Sequence, residues 1–241
     1  MTHLAILGST RATELQAIIK AIENGSLDAK VDVVISNKAD AYILERAKKY
    51  GLKTKFIDGK EITREEFDAK IMAELKKYSI DLILLIGYMR ILSVPFVRAY
   101  KDRILNVHPS LLPAFAGGMD LNVHEEVIKA GVKETGCTVH FVDEGVDTGK
   151  ILIQKKCAVE PNDNADTLKE KVQKLEGEAL IEAIKIYNDK PLRLTYGAPL
   201  LLSIFALITF MWTIVNIRLS LLTTLIWMAA LVLLMVFLKK E

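Results

Sequence analysis

Residues 81–89, DLILLIGYM, constrain the fold more than any other stretch of this chain. Leu82 to Ile86 are consecutive aliphatic side chains. A strand with one wet face alternates apolar and polar residues; an unbroken run must be covered on both faces, as in the centre of a parallel sheet. The surroundings fit that reading. HLAILG, KVDVVIS and KTKFI read as strands, and ATELQAIIKAIENG, DAYILERAKKYG and TREEFDAKIMAELKKYS read as the helices between them. The first helix places Leu15, Ile18, Ile19 and Ile22 on one stripe, with Gly25 just past its end. Gly51 stops the second, and Thr63 with Glu66 gives the third a capping-box start. SVPFVRAY then reads as a short helix and RILNVH as a fifth strand. Such alternation predicts an α/β fold: a doubly wound, mostly parallel sheet with helices on both faces.

Beyond residue 109 the pattern changes. PSLLPAFAGGMD is loop and LNVHEEVIKAG helix, while GCTVHFVDEGVDTGKILIQKKCAV reads as two strands so close in sequence that they must pair antiparallel. The sheet is therefore expected to end in an antiparallel strand. A long helix, DNADTLKEKVQKLEGEALIEAIKIYND, closes a body of residues 1–190, and Pro191 ends it.

Residues 191–241 have a different composition. Runs 194–217 and 219–238, of 24 and 20 residues, contain no Lys, Arg, Asp or Glu. At about 1.5 Å per residue, each as a helix spans the roughly 30 Å hydrocarbon core of a bilayer. The expectation is a transmembrane helical hairpin, with spans at about 195–217 and 219–238 and Arg218 at the turn. Lys190 and Arg193 flank its start, and Lys239 and Lys240 its end, so positive-inside bias puts both ends in the cytoplasm. The body would then lie on the cytoplasmic face of the cell membrane, with the lipid bilayer as a partner. A core or oligomer helix pair is the alternative, and the sequence leaves a homo-oligomer open.

The whole chain carries net charge +2 from 32 basic and 30 acidic residues. Four of those basic residues and one acidic residue fall in 192–241, so the body has no basic excess. That argues against nucleic acid as its main partner. Cys137 and Cys157 show neither a CxxC nor a Cys/His spacing, so no metal site is indicated.

In open parallel sheets, ligands bind outside the carboxyl ends of the strands. LGSTRATEL, GYMRIL and NVHPSLLP all sit at such ends, and DEGVDTG is placed to reach the same crevice. Asn106 and His108 alternate with Val107, so both point the same way from a strand. A carboxamide and an imidazole facing one spot suit a carbonyl whose oxygen becomes negative during reaction. Spacing alone leaves the other reading open, that they are ordinary polar residues closing a strand. Asp147, in VDTG, is a carboxylate that would raise the His108 pKa if the fold brought the two together.

NVHPSLLPAF, preceded by GYMRIL and followed by TVHFVDEGVDTGKIL, resembles the folate-dependent formyltransferase family, and within it the phosphoribosylglycinamide formyltransferases. ISNKADAYILERAKKYGL adds to a resemblance that runs from about residue 3 to 190. It implies the formyltransferase fold, the co-substrate 10-formyltetrahydrofolate, no metal, and transfer of a formyl group to the amine of glycinamide ribonucleotide in purine biosynthesis. The family's catalytic asparagine, histidine and aspartate fall on Asn106, His108 and Asp147. Asn106 and protonated His108 would donate to the oxyanion, and Asp147 would keep His108 charged near neutral pH. Folate would lie against Met89, Arg90, Ile91 and Leu92 beside Asn106, with Arg90 and Arg64 available to its glutamate tail. Gln173 and Glu176 fall on positions that touch the ribose, and His140 on a histidine near the site.

The phosphate loop departs from the family's Gly-x-Gly-Ser-Asn run, reading Thr10, Arg11, Ala12, Thr13 and Glu14. Ala12, Thr13 and Glu14 therefore map to the phosphate site by position, and Glu14 would repel a dianion unless its side chain turned away. His3 and His124 read as structural. The alternatives are another 10-formyltetrahydrofolate enzyme, a hydrolase or other formyltransferase, and a catalytically dead, membrane-tethered folate-binding protein. A hydrolase would carry an N-terminal regulatory domain, and a formyltransferase for methionyl-tRNA an extra C-terminal nucleic-acid-binding domain, whereas the tail here is apolar.

Overall fold

A computed structural model describes residues 1–118, 121–189 and 227–231. The chain divides into two units, Met1–Lys190 and Pro191–Glu241. In the first, strands β1 (Thr2–Leu7), β2 (Ala29–Ser36), β3 (Thr54–Phe56), β4 (Leu82–Leu85), β5 (Ile104–His108), β6 (Glu134–Phe141) and β7 (Ile151–Ala158) form one sheet. Its order is β3-β2-β1-β4-β5-β6-β7. Pairings are parallel from β3 through β5, then antiparallel for β5–β6 and β6–β7. Only β6 runs against the rest: the expected antiparallel pair is present, but the C-terminal edge strand β7 runs with β1–β5.

Strand periodicity divides β1 and β4 between two cores. Leu4, Ile6, Leu82, Leu84 and Ile86 face one side, against Leu15, Ile18, Leu180 and Ile184. Those four belong to helices α1 (Glu14–Glu23) and α6 (Ala165–Asp189). Ala5, Leu7, Ile83 and Leu85 face the other, against Phe67, Ile71 and Phe96 of α3 (Arg64–Leu75) and α4 (Val94–Ala99). Every one of these side chains is buried, which is why the sequence of β4 cannot alternate. Helices α2 (Tyr42–Lys49) and α5 (Leu121–Ala130) complete the body.

The helix starts follow local chemistry. Glu66 N–H donates to Thr63 Oγ1 at 3.2 Å, and Thr63 N–H donates to Glu66 Oε2 at 2.8 Å, a reciprocal capping box. Asn164 Oδ1 accepts from the N–H groups of Asp166 and Thr167 at the start of α6. His3, at the far end of the sheet from the strand carboxyl ends, pairs with Asp32 at 2.5 Å and has the structural place expected of it.

Strand order reverses at β1, which has β2 on one side and β4 on the other. The loops leaving β1 and β4 meet there: Ser9 N–H donates to the Gly87 carbonyl at 3.0 Å. Gly87 has φ +55, and a Cβ on it would collide with Thr10, so only glycine lets the two loops touch. This is where doubly wound sheets place their ligands.

In the second unit, Trp227–Leu231 are helical. Among the described residues no helix is long and apolar enough to cross a membrane. The expected spans at 195–217 and 219–238 lie outside the described residues, apart from those five helical positions.

Candidate active site

A cavity of about 560 Å³ occupies the crevice at the strand carboxyl ends. Three chain segments build most of its wall: Thr10–Glu14 after β1, Gly87–Leu92 after β4, and Asn106–Pro109 at the end of β5. The turn between β6 and β7 supplies Asp143 and Asp147, and α6 supplies Gln173 and Glu176. Every expected site residue lines it except Arg64, which is exposed as the first residue of α3. The capping box sets that helix start, and the charge of Arg64 acts on Asp68 one turn along α3.

Asn106 and His108 meet Asp147 as β-sheet geometry and one turn dictate. Antiparallel pairing sets Asn106 opposite His140, and Asn106 Nδ2 donates to His140 Nε2 at 3.1 Å. His140 Nδ1 faces the Phe141 carbonyl at 2.9 Å. A carbonyl only accepts, so Nδ1 holds the proton and Nε2 is free to accept from Asn106. Asp147 is held in the left-handed region, φ +55, a conformation that Asp tolerates better than most residues. From there its carboxylate reaches four groups. Oδ2 lies 3.3 Å from His108 Nδ1 and accepts Gly117 N–H at 2.9 Å; Oδ1 lies 3.5 Å from His140 Nε2 and accepts Asn106 Nδ2 at 3.4 Å. The other ring nitrogen of His108, Nε2, donates to the Phe115 carbonyl at 3.0 Å.

Both nitrogens of His108 thus face acceptors, which favours the charged ring, yet His108 is only 3% exposed. Burial is the larger effect and holds its pKa below the ordinary imidazole value, against the pull of Asp147 and the Phe115 carbonyl. This corrects the expectation that Asp147 keeps His108 charged near neutral pH: the carboxylate is present, but desolvation of the ring outweighs it. For Asp147, burial pushes up, while the contacts with the His140 ring, the Gly117 N–H and the His108 ring pull down and win.

Above the ordinary imidazole value of 6.5, His108 is neutral in both folded and unfolded chain and contributes no pH dependence. Below it the unfolded chain binds a proton that the fold resists, so stability falls as the pH drops from 6.5 toward the folded value. Thermal unfolding between about pH 7.5 and 5 should show a melting temperature that decreases with acid, and His108→Gln should flatten that slope.

The phosphate-loop segment is unusual in its backbone as well as its sequence. Ala12 is buried with φ +42, where an L side chain is strained by roughly 1–2 kcal/mol. Arg46 holds the loop, donating from Nε to the Arg11 carbonyl at 3.2 Å and from Nη1 to Gln16 at 3.1 Å. Glu14 is 5% exposed and faces the cavity, its Oε1 accepting from Thr13 Oγ1 at 3.2 Å. The side chain has not turned out to solvent. Ala12→Gly should relieve the backbone strain, offset in part by the freedom glycine adds to the unfolded chain, and raise the melting temperature by about 1–4 °C. Calorimetry checks this; a lower melting temperature would contradict the strain.

Several site residues had no sequence signal. Gly117 and Phe115 act through main-chain groups, which no residue pattern reveals. His124 read as structural, but it is buried and lines the cavity. Arg90 finds its partner in the Phe67 ring, whose centroid lies 4.1 Å from the guanidinium carbon. Among the described residues no cluster of His, Cys, Asp and Glu has the arrangement to hold a metal ion.

Asn106, His108 and Asp147 thus gather at the crevice of a mixed sheet in which β6 alone runs against the other strands. The family model described as formyl transferase matches residues 2–184, and the chain belongs to that family. The chain is 40% identical to the phosphoribosylglycinamide formyltransferase of Haemophilus influenzae, over 80% of this chain and 91% of that one. It is 42% identical to the trifunctional purine biosynthetic protein adenosine-3 of Homo sapiens over 76% of its own length. It spans only 18% of that longer relative. Among solved structures, glycinamide ribonucleotide transformylase 1 from Symbiobacterium toebii superposes with a TM-score of 0.74 at 40% identity, covering 78% of this chain and 87% of that one.

Proposed function

We propose that the chain transfers the formyl group of 10-formyltetrahydrofolate to the amine of 5'-phosphoribosylglycinamide, an enzymatic step of purine biosynthesis. The observation that carries the reading is the convergence of Asn106, His108 and Asp147 on one wall of a cavity framed by the loops after β1 and β4. The family and its relatives' names support the same chemistry. The amine nitrogen attacks the formyl carbon, a new C–N bond forms, and the carbonyl oxygen becomes negative. Asn106 Nδ2 and His108 Nε2 are the donors for that oxygen. Donation from His108 requires its bond to the Phe115 carbonyl to be exchanged for the substrate oxygen. When the substrate displaces the Phe115 carbonyl, the single ring proton of neutral His108 moves to Nδ1 beside Asp147, so that Nε2 takes the proton the amine loses and then donates it to the oxygen; Asp147 stabilises the charged ring. The same proton then goes to folate N10 as the carbon–nitrogen bond to it breaks. Tetrahydrofolate leaves, and no metal is needed.

The loop Met89–Leu92 presents main-chain groups to the flat heterocycle of the folate, with Arg90 beside its glutamate tail. Gln173 and Glu176 reach the ribose, and the first turn of α1 the phosphate. One observation favours a second reading, folate binding without transfer to this amine: Glu14 places a buried carboxylate where a dianion would sit. The assay that tests the first reading is release of tetrahydrofolate by purified full-length protein. Release that depends on added glycinamide ribonucleotide supports it; none with both substrates saturating would sink it.

We also propose that residues 191–241 tether the enzyme to the cytoplasmic face of the membrane as a helical hairpin. The two uncharged runs and their basic flanks support this. Full-length protein should sediment with membranes and resist carbonate extraction. Recovery from the supernatant without detergent would end the idea.

A further inference from the structure

The loop after β4 is pinned at both ends by side chains from other elements. At its start Met89 N–H donates to Ser9 Oγ at 2.8 Å, and Ser9 Oγ donates in turn to Asn37 Oδ1 at 2.6 Å. At its end Ser93 N–H donates to Asp68 Oδ2 at 2.5 Å. Ser9 and Asp68 are 3% and 2% exposed, so bulk water does not compete for either bond. Between the anchors, Arg90 lies on the ring of Phe67, the neighbour of Asp68 in α3. Burial raises the Asp68 pKa, against the bond from Ser93 and the charges of Arg90 and Arg64.

We infer that Ser9 and Asp68 are positioning residues for the folate: together they fix the backbone from Met89 to Ser93 in the shape that a reduced pterin reads. This rests on assigning that loop to 10-formyltetrahydrofolate. A heterocycle recognised by main-chain N–H and C=O groups has no side chain to adapt to it. Its affinity therefore depends on how rigidly the backbone is held, and a misplacement of about 1 Å is enough to cost roughly a hundredfold. A carboxylate accepting a buried N–H is the stronger type of anchor. The two anchors differ in reach. Ser9 also begins the Thr10–Glu14 loop and is tied through its own N–H to Gly87. Its hydroxyl therefore joins the loops of both substrates, whereas Asp68 grips the folate loop from behind.

The readouts are Kd for tetrahydrofolate by titration calorimetry and KM for each substrate in formyl transfer, on the full-length protein. Asp68→Ala is expected to weaken tetrahydrofolate and raise the formylfolate KM by about 10- to 100-fold. The KM for glycinamide ribonucleotide should change less than about threefold. Asp68→Asn keeps an acceptor for Ser93 N–H and should restore most of the loss. Ser93→Pro deletes the donor instead; Ser93 already has φ −74, which proline accepts, so this variant gives the same folate-selective loss even if Asp68→Ala does not fold. Ser9→Ala should raise both KM values. A glycinamide ribonucleotide KM that rises as far as the folate KM in the Asp68 and Ser93 variants, or a Ser9→Ala protein with unchanged folate affinity, overturns the inference. Wild-type protein that binds tetrahydrofolate but transfers no formyl group overturns only the proposed reaction, since the clamp is still read through Kd. Wild-type protein that does not bind tetrahydrofolate overturns both.

Discussion

His108→Ala should lower kcat for formyl transfer by at least about 10²–10³-fold while leaving both KM values within a few-fold. The side chain is asked to do two things that exist only once reaction begins. It donates to an oxygen that becomes negative, and it moves a proton from the attacking nitrogen to the leaving one. An interaction made only in the transition state appears in kcat and not in KM. His108→Gln separates the roles, since an amide can still donate but cannot titrate, and should recover part of the oxyanion contribution and none of the proton relay. Steady-state kinetics on the two variants decides the point. More than about a tenth of wild-type kcat in His108→Ala would remove the residue from the chemistry.

Asp147→Asn should be nearly as damaging, with a loss of about 10²–10⁴ in kcat. The carboxylate accepts from, or pairs with, Asn106, His108, Gly117 and His140. An amide of the same shape tolerates the φ of +55 but has one acceptor where the site needs two, and no charge. Without that charge the imidazolium formed in the reaction is stabilised less. The His108 pKa, already depressed by burial, should fall further, moving the acid limb of the kcat/KM profile to lower pH. A pH–rate series on wild type and variant reads this shift. An unmoved limb would mean that Asp147 orients the ring without stabilising its charge.

The fold was legible because its signal is periodic. The unbroken run at Leu82–Ile86, the capping box at Thr63 and the glycine after each of the first two helices each state a local geometry that packing then respects. Half of the site was legible for the same reason. Asn106 and His108 share a strand face by spacing alone, and β5 presents them as spacing requires. Their meeting with Asp147 was not, since it depends on a turn between two antiparallel strands and a positive φ that no alternation encodes. The protonation of His108 was misjudged because a carboxylate is visible in a sequence and burial of the ring is not. Arg64 falls outside the cavity, exposed at the start of α3, where its charge acts on Asp68. Ser9 and Asp68 escaped notice because they hold main-chain N–H groups, which leave no pattern among side chains. At Glu14 the sequence departure from the family is matched in space, with the carboxylate buried and facing the cavity.

The fate of the formyl carbon tests the central claim most directly. Full-length protein, 10-formyltetrahydrofolate labelled with carbon-13 in the formyl group, and glycinamide ribonucleotide would be followed by NMR. A single new resonance is expected, the formamide carbon on the glycinamide nitrogen, forming in step with tetrahydrofolate. Label appearing as free formate regardless of glycinamide ribonucleotide, or remaining on the folate, would contradict it.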